Sequence, residues 1–122
     1  MKFLIVEDNE LMRRLIRSVV SEIAETIDEC SNGKEAVTAF ERHRHDWVVM
    51  DIEMPEMDGL TATAKIIAID PNARVIIVTQ HDNKNLREDS IKAGAVAFIA
   101  KENLLDIRAV LSSVTPQDLN EK

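Results

Sequence analysis

Glu7-Asp8, Asp51, Thr79 and Lys101 are the residues of this 122-residue chain whose types and settings could do chemistry together. Each follows a short apolar run: Phe3-Leu4-Ile5-Val6, Trp47-Val48-Val49-Met50, Val75-Ile76-Ile77-Val78 and Ala97-Phe98-Ile99-Ala100. Three carboxylates brought close would raise at least one pKa unless a cation joined them, and a divalent metal is the natural resolution. Oxygen ligands with no cysteine or clustered histidine suit Mg2+ or Mn2+ rather than zinc. Mg2+ typically uses one or two carboxylates, several waters and a phosphate, so a phosphoryl group is implied. Lys101 and Thr79 could bind its oxygens by charge-assisted and neutral hydrogen bonds. Asp51 would then be the nucleophile, forming an aspartyl phosphate.

These groups meet only if the runs are parallel strands, because open α/β sheets place their ligand chemistry at the carboxyl ends of the strands. The runs alternate with segments of helical period, as in βαβ units, and five units fit. Leu11, Leu15, Val19 and Ile23, flanked by Met12, Ile16 and Val20, give the first helix an apolar face, with Asp8 or Asn9 as its cap. Thr26 to Cys30 alternates and reads as an edge strand. Asn32-Gly33 starts a second helix running through Phe40. A loop with Pro55 and Gly59 precedes a third, carrying Leu60, Ala64, Ile67 and Ala68, which Asp70-Pro71 stops. A fourth passes Leu86 and Ile91 and ends near Gly94. Asn103 is the expected cap of the last, whose inner side is Leu104, Ile107, Val110 and Leu111. Residues 1 to 114 form the expected domain, and 115 to 122 a polar tail or the start of a linker.

At this length, with 45% hydrophobic residues, one core is the expectation. A net charge of -7 argues against direct nucleic-acid binding, which rests on Lys and Arg. No apolar stretch approaches the length of a membrane span, so a cytoplasmic protein is expected. The single cysteine, Cys30, reads as an inert buried thiol. Met50, Met54 and Met57 read as packing residues, and His43 and His45 as cations complementing a helix end. Trp47, the only tryptophan, reads as core. Alone, Asp51 could be a turn residue, Glu7-Asp8 a helix-start pair, Thr79 a strand residue and Lys101 a solvated lysine. Their joint placement is what argues for a shared site.

The ordered set Val6-Glu7-Asp8-Asn9, Asp51-Ile52-Glu53-Met54-Pro55-Glu56-Met57-Asp58-Gly59, Thr79, Lys92-Ala93-Gly94-Ala95 and Lys101 resembles the receiver domains of two-component response regulators over nearly the whole chain. The resemblance implies a flavodoxin-like doubly wound sheet of five parallel strands, order 2-1-3-4-5, flanked by five helices. It implies that Asp51 takes a phosphoryl group from a phosphohistidine on a sensor histidine kinase or phosphotransfer protein. Asp8 would bind Mg2+ directly, Glu7 mainly through water, and the Glu53 main-chain carbonyl would complete the set with Asp51. Lys101 would hold the phosphoryl group, and Thr79 and Phe98 would convert it into a change of the helix 4, strand 5, helix 5 face. Leu86, Arg87, Ile91 and Val96 are candidates for that face, which would engage an output domain, a partner or a second copy in a phosphorylation-dependent homodimer.

Three positions depart from the family's usual pattern. Gln80 stands where a small residue is usual, Glu102 replaces the usual proline after Lys101, and Phe98 often is tyrosine. Gln80, with Glu53 and His81, is expected to tune rates. Glu102 makes the family's common cis bond after the lysine unlikely. Val96-Ala97 stands where receivers with winged-helix outputs often carry acids, so analogy favours a helix-turn-helix output or none. The rival readings are a phosphorylation-independent docking module, an aspartyl-phosphate phosphatase or mutase, and a flavin protein. The last lacks a Ser/Thr/Gly-rich loop after the first strand.

Overall fold

The computed structural model describes residues 1–113; the expected tail, and residue 114 of the expected domain, lie outside the described residues. Five runs become strands: β1 (Lys2–Val6), β2 (Thr26–Cys30), β3 (Trp47–Asp51), β4 (Arg74–Thr79) and β5 (Ala97–Ala100). All pair in parallel, in the order β2-β1-β3-β4-β5. β3 and β4 are buried along their whole length. This is why both read as continuous apolar runs, whereas β2 at the edge is half-exposed and alternates.

The helices are α1 (Glu10–Val20), α2 (Gly33–His43), α3 (Gly59–Ile69), α4 (Lys84–Ala93) and α5 (Asp106–Ser112). On one face of the sheet Phe3, Ile5, Trp47, Val49, Ile76, Val78 and Ile99 pack with Ile16, Val19 and Val20 of α1 and Ile107 and Leu111 of α5. On the other, Leu4, Val6, Val48, Met50, Val75 and Ile77 pack with Ala36, Phe40, Ala62 and Ile66 of α2 and α3. Asx caps start four helices: the side chains of Asn9, Asn32, Asp58 and Asn83 accept from the backbone N–H three residues on. Gly94 ends α4 with φ at 106°, a left-handed geometry that suits glycine.

Three expectations fail. The inward side of α1 is Met12, Ile16, Val19 and Val20, while Leu11, Leu15 and Ile23 are 68%, 46% and 42% exposed. Apolar residues occupy two adjoining stripes of this helix, and spacing alone cannot say which one the sheet takes. Asn103 caps nothing: it ends a 3-10 turn, Lys101–Asn103, and α5 begins later at Asp106 without a side-chain cap. His45 does not sit free at a helix end either. It is buried, with Nε2 2.7 Å from Asp28 Oδ2.

The reassigned face of α1 has a measurable consequence. Ile16→Ala should cost about 2–5 kcal/mol in chemical denaturation. Leu15→Ala should stay within about 0.5 kcal/mol of wild type, and a larger loss would return Leu15 to the core.

Candidate functional site

Register alone brings the chemical residues to one edge. In parallel pairing Val6 lies beside Met50, Asp51 beside Val78 and Thr79 beside Ala100, so Glu7, Asp51, Thr79 and Lys101 leave adjacent strands at one level. A cavity of about 720 Å3 opens there, lined among others by Glu7, Asp8, Asp51, Glu53, Thr79, Gln80 and Lys101. Phe98 is not among its lining residues; it is half-buried and packs against the Ile77 side of the sheet.

Asp51 is 4% exposed and held by one oxygen. The Ile52 N–H donates to Oδ1 at 2.9 Å, and Lys101 Nζ lies 3.2 Å from the same atom. Both contacts fall on Oδ1, so Oδ2 is the oxygen left for a ligand or an attack. The loop beyond Asp51 is pulled tight by Gly59, whose N–H donates to the Ile52 carbonyl at 2.8 Å. A Cβ on Gly59 would fall 1.8 Å from the Asp51 carbonyl oxygen, so no side chain fits. Asp58, the cap of α3, fixes the far end of the loop.

Glu7 is fully buried, and Lys101 Nζ sits 2.7 Å from its Oε1, a charge contact rather than a well-aligned hydrogen bond. Carboxylate oxygens of Glu7, Asp8 and Asp51 lie within 4.8 Å of one another. Three hard oxygen donors, one of them buried without an aligned donor, fit a divalent cation of the Mg2+ type. Burial, then the neighbouring Glu7 charge, push the Asp51 carboxyl up to about 7 against the pull of Lys101. Burial works against the Lys101 ammonium as well, but Glu7 and Asp51 outweigh it and raise its pKa.

Around this centre, Thr79 is buried and its Oγ1 accepts from the His81 N–H at 3.1 Å. His81 Nε2 reaches 2.9 Å from Glu53 Oε1, an exposed polar contact between two loops that flank the cavity. Gln80 is exposed on the cavity wall. Sequence reasoning missed several neighbours. Leu11, Met12, Leu15 and Glu102 also line the cavity, and nothing in the spacing of α1 marks the two leucines as exposed. Arg13 donates from Nη1 to the Glu7 carbonyl at 2.9 Å and from Nε to Glu29 at 3.1 Å, bracing the acidic turn. Cys30 is half-buried rather than buried, and burial, then Glu35 and Asp28, push its thiol up to about 11. Among the described residues no peptide bond is cis.

The model of the response regulator receiver domain family matches residues 3–112. The chemotaxis protein CheY of Listeria monocytogenes is 43% identical over 102 residues, covering 83% of this chain and 86% of that protein. Among solved structures, the CheX-CheY-BeF3-Mg2+ complex from Borrelia burgdorferi aligns with a TM-score of 0.84 at 31% identity, covering 94% of this chain and 90% of the other. A DNA-binding response regulator of the LuxR family from Staphylococcus aureus aligns at 0.82 and 26% identity, covering 92% and 96%. Among the described residues no helix is long and apolar enough to cross a membrane.

The raised Asp51 pKa makes stability depend on pH in a defined direction. Between the ordinary carboxylate range and about 7 the folded protein keeps a proton that the unfolded chain has lost, so metal-free stability falls as pH rises through that window. Asp51→Asn removes this dependence. In chelator at pH 8 it should melt about 3–5 °C above wild type, a gain of ~1 kcal/mol. The gap should shrink toward pH 5, and an equal gap at both pH values would contradict the charge argument.

Proposed function

Because this chain belongs to the response regulator receiver family, we propose that it is a cytoplasmic, phosphorylation-controlled signalling switch whose phosphoacceptor is Asp51. The observation that carries this reading is the pinned Asp51 carboxylate, with Oδ1 held by Ile52 and Lys101 on a cavity ringed by acids. Oδ2 attacks the phosphorus of a phosphohistidine on a sensor kinase or phosphotransfer protein. The O–P bond forms as the P–N bond breaks, and the electron pair leaves on the imidazole. Lys101, already within reach of Asp51, moves its charge onto a phosphoryl oxygen.

Glu7, Asp8, Asp51 and the Glu53 main-chain carbonyl would hold Mg2+, with Mn2+ as a substitute. Bound there, the ion would neutralise charge on the phosphoryl oxygens. Thr79 turns its hydroxyl so that its O–H donates to the same group, giving up the bond that Oγ1 accepts from the His81 N–H. Exposed Leu11 and Leu15 beside the cavity favour a protein phosphodonor, because they offer apolar area next to Asp51 that a small acyl phosphate does not use. Ile91 and Val96, 65% and 53% exposed, are the apolar points of the α4, β5 and α5 face through which an output domain, a partner or a second copy would be engaged. Residues 1 to 114 would be sufficient as the switching unit.

Intact mass spectra after incubation with Mg2+ and acetyl phosphate test the chemistry. Wild type should gain a labile, metal-dependent phosphoryl adduct that Asp51→Asn lacks. Gln80→Ala should take up phosphate at a different rate, since a long amide on the cavity wall crowds the incoming group or orients water. An adduct on Asp51→Asn would remove Asp51 from its role. No adduct on wild type or Gln80→Ala, even with histidine kinases supplied, would favour a docking module that works without phosphorylation.

The Glu53–His81 pair also makes a prediction about lifetime. Glu53→Ala opens the rim and should shorten the adduct's half-life several-fold, with His81→Ala acting in the same direction. Unchanged half-lives in both would strip the pair of any role in hydrolysis.

A further inference from the structure

Phe98 is covered from outside by a cation. The guanidinium carbon of Arg87, on α4, stands 4.7 Å from the centre of the Phe98 ring. Its Nη2 donates to Asp82 Oδ1 at 2.7 Å. Asp82 lies in the segment joining Thr79 to α4, and that segment is itself tied back through the His81 N–H to Thr79 Oγ1 at 3.1 Å. Thr79 and Phe98 belong to neighbouring strands of the sheet. Ile77 pairs with Phe98 and Thr79 with Ala100, and Phe98 packs on the core containing Ile77. One connected path therefore runs from the Thr79 hydroxyl through His81, Asp82 and Arg87 to the ring.

The chemistry of the ring makes the cation consequential. A phenyl group carries no polar atom that prefers water, so burial favours its inward position. A planar guanidinium over the face of the ring offsets that preference, and a carboxylate latched to the guanidinium fixes its place. We propose that Arg87 is a positioning residue for Phe98: held by Asp82, it keeps the ring in its half-buried place under the guanidinium, short of full burial, until Thr79 releases the segment between them. The inference rests on the reading of Thr79 and Phe98 as the residues that respond to the phosphoryl group. When Thr79 Oγ1 turns to a phosphoryl oxygen, its bond to the His81 N–H breaks, Asp82 shifts with the segment, and Arg87 is drawn off the ring.

Fluorine NMR on protein carrying para-fluorophenylalanine tests this directly. The chain has 3 phenylalanines, and Phe98→Leu identifies the resonance that matters. The readout is its solvent isotope shift between H2O and D2O, which reports exposure of the ring in unphosphorylated protein. Loss of an exposed cation–π contact should move the outward-to-inward ratio about two- to five-fold. Arg87→Ala should therefore lower the isotope shift, Asp82→Asn should lower it less, and Arg87→Lys should restore most of it. Mere uncovering of a ring that stays in place would raise the shift. An isotope shift equal to or above that of wild type in Arg87→Ala overturns the proposal. Phosphate uptake by wild type is measured separately. Its absence would sink the functional reading, while the isotope shift of unphosphorylated protein still decides whether Arg87 holds the ring.

Discussion

Three carboxylates crowded at the end of a buried sheet, with one ammonium among them, are the constraint to which the rest of this structure answers. Glu7 and Asp51 are removed from water, where each charge is costly, and Lys101 is the cation within 3.2 Å of both. The arrangement is under-neutralised, three acids to one ammonium, and burial, then the Glu7 charge, push Asp51 up against the pull of Lys101. A site short of positive charge is poised to take a divalent cation and, with it, a group carrying negative oxygens. The same shortage makes the metal-free protein less stable than its core alone would allow.

Holding such a site together falls to contacts outside the cluster of three acids and the lysine. Gly59 lets the loop after β3 fold back onto the Asp51 carbonyl. Gly33, at the start of α2, donates to the Met57 carbonyl at 3.1 Å, so the same loop is fastened to a neighbouring helix. Arg13 joins the acidic turn to β2 through Glu29. Positions on three helices thus restrain the turn that carries Glu7 and the loop that follows Asp51, and these contacts resist the repulsion between the acids without relieving it.

The strands and the residues at their ends were legible because parallel strands covered on both faces leave unbroken apolar runs, each closed by a polar residue, while the strand order came from the family resemblance. β3 and β4 show this most clearly. The side of α1 was not legible, because Leu11 and Leu15 form a stripe as apolar as Ile16 and Val19, and only the sheet's position decides between them. The start of α5 was hidden because the turn from Lys101 to Asn103 absorbs the residues that resembled a cap. His45 read as a cation complementing a helix end because its partner, Asp28, is 17 residues away in sequence. The Glu53–His81 pair and the Arg87–Phe98 contact were hidden for the same reason, since each joins side chains from different loops or elements.

Trp47 opens the strand that Asp51 closes, and four residues of extended chain put about 13 Å between their backbones. Its ring is 1% exposed, among Phe3, Ile76 and Leu111, with the Arg74 guanidinium 5.8 Å from the ring centre. The chain's only indole therefore emits from the far floor of the sheet, insulated from events at the acids. Its fluorescence is a clean gauge of whether the sheet is assembled and a poor one of whether Asp51 is occupied, so folding and signalling can be followed in one sample by separate optical and magnetic probes.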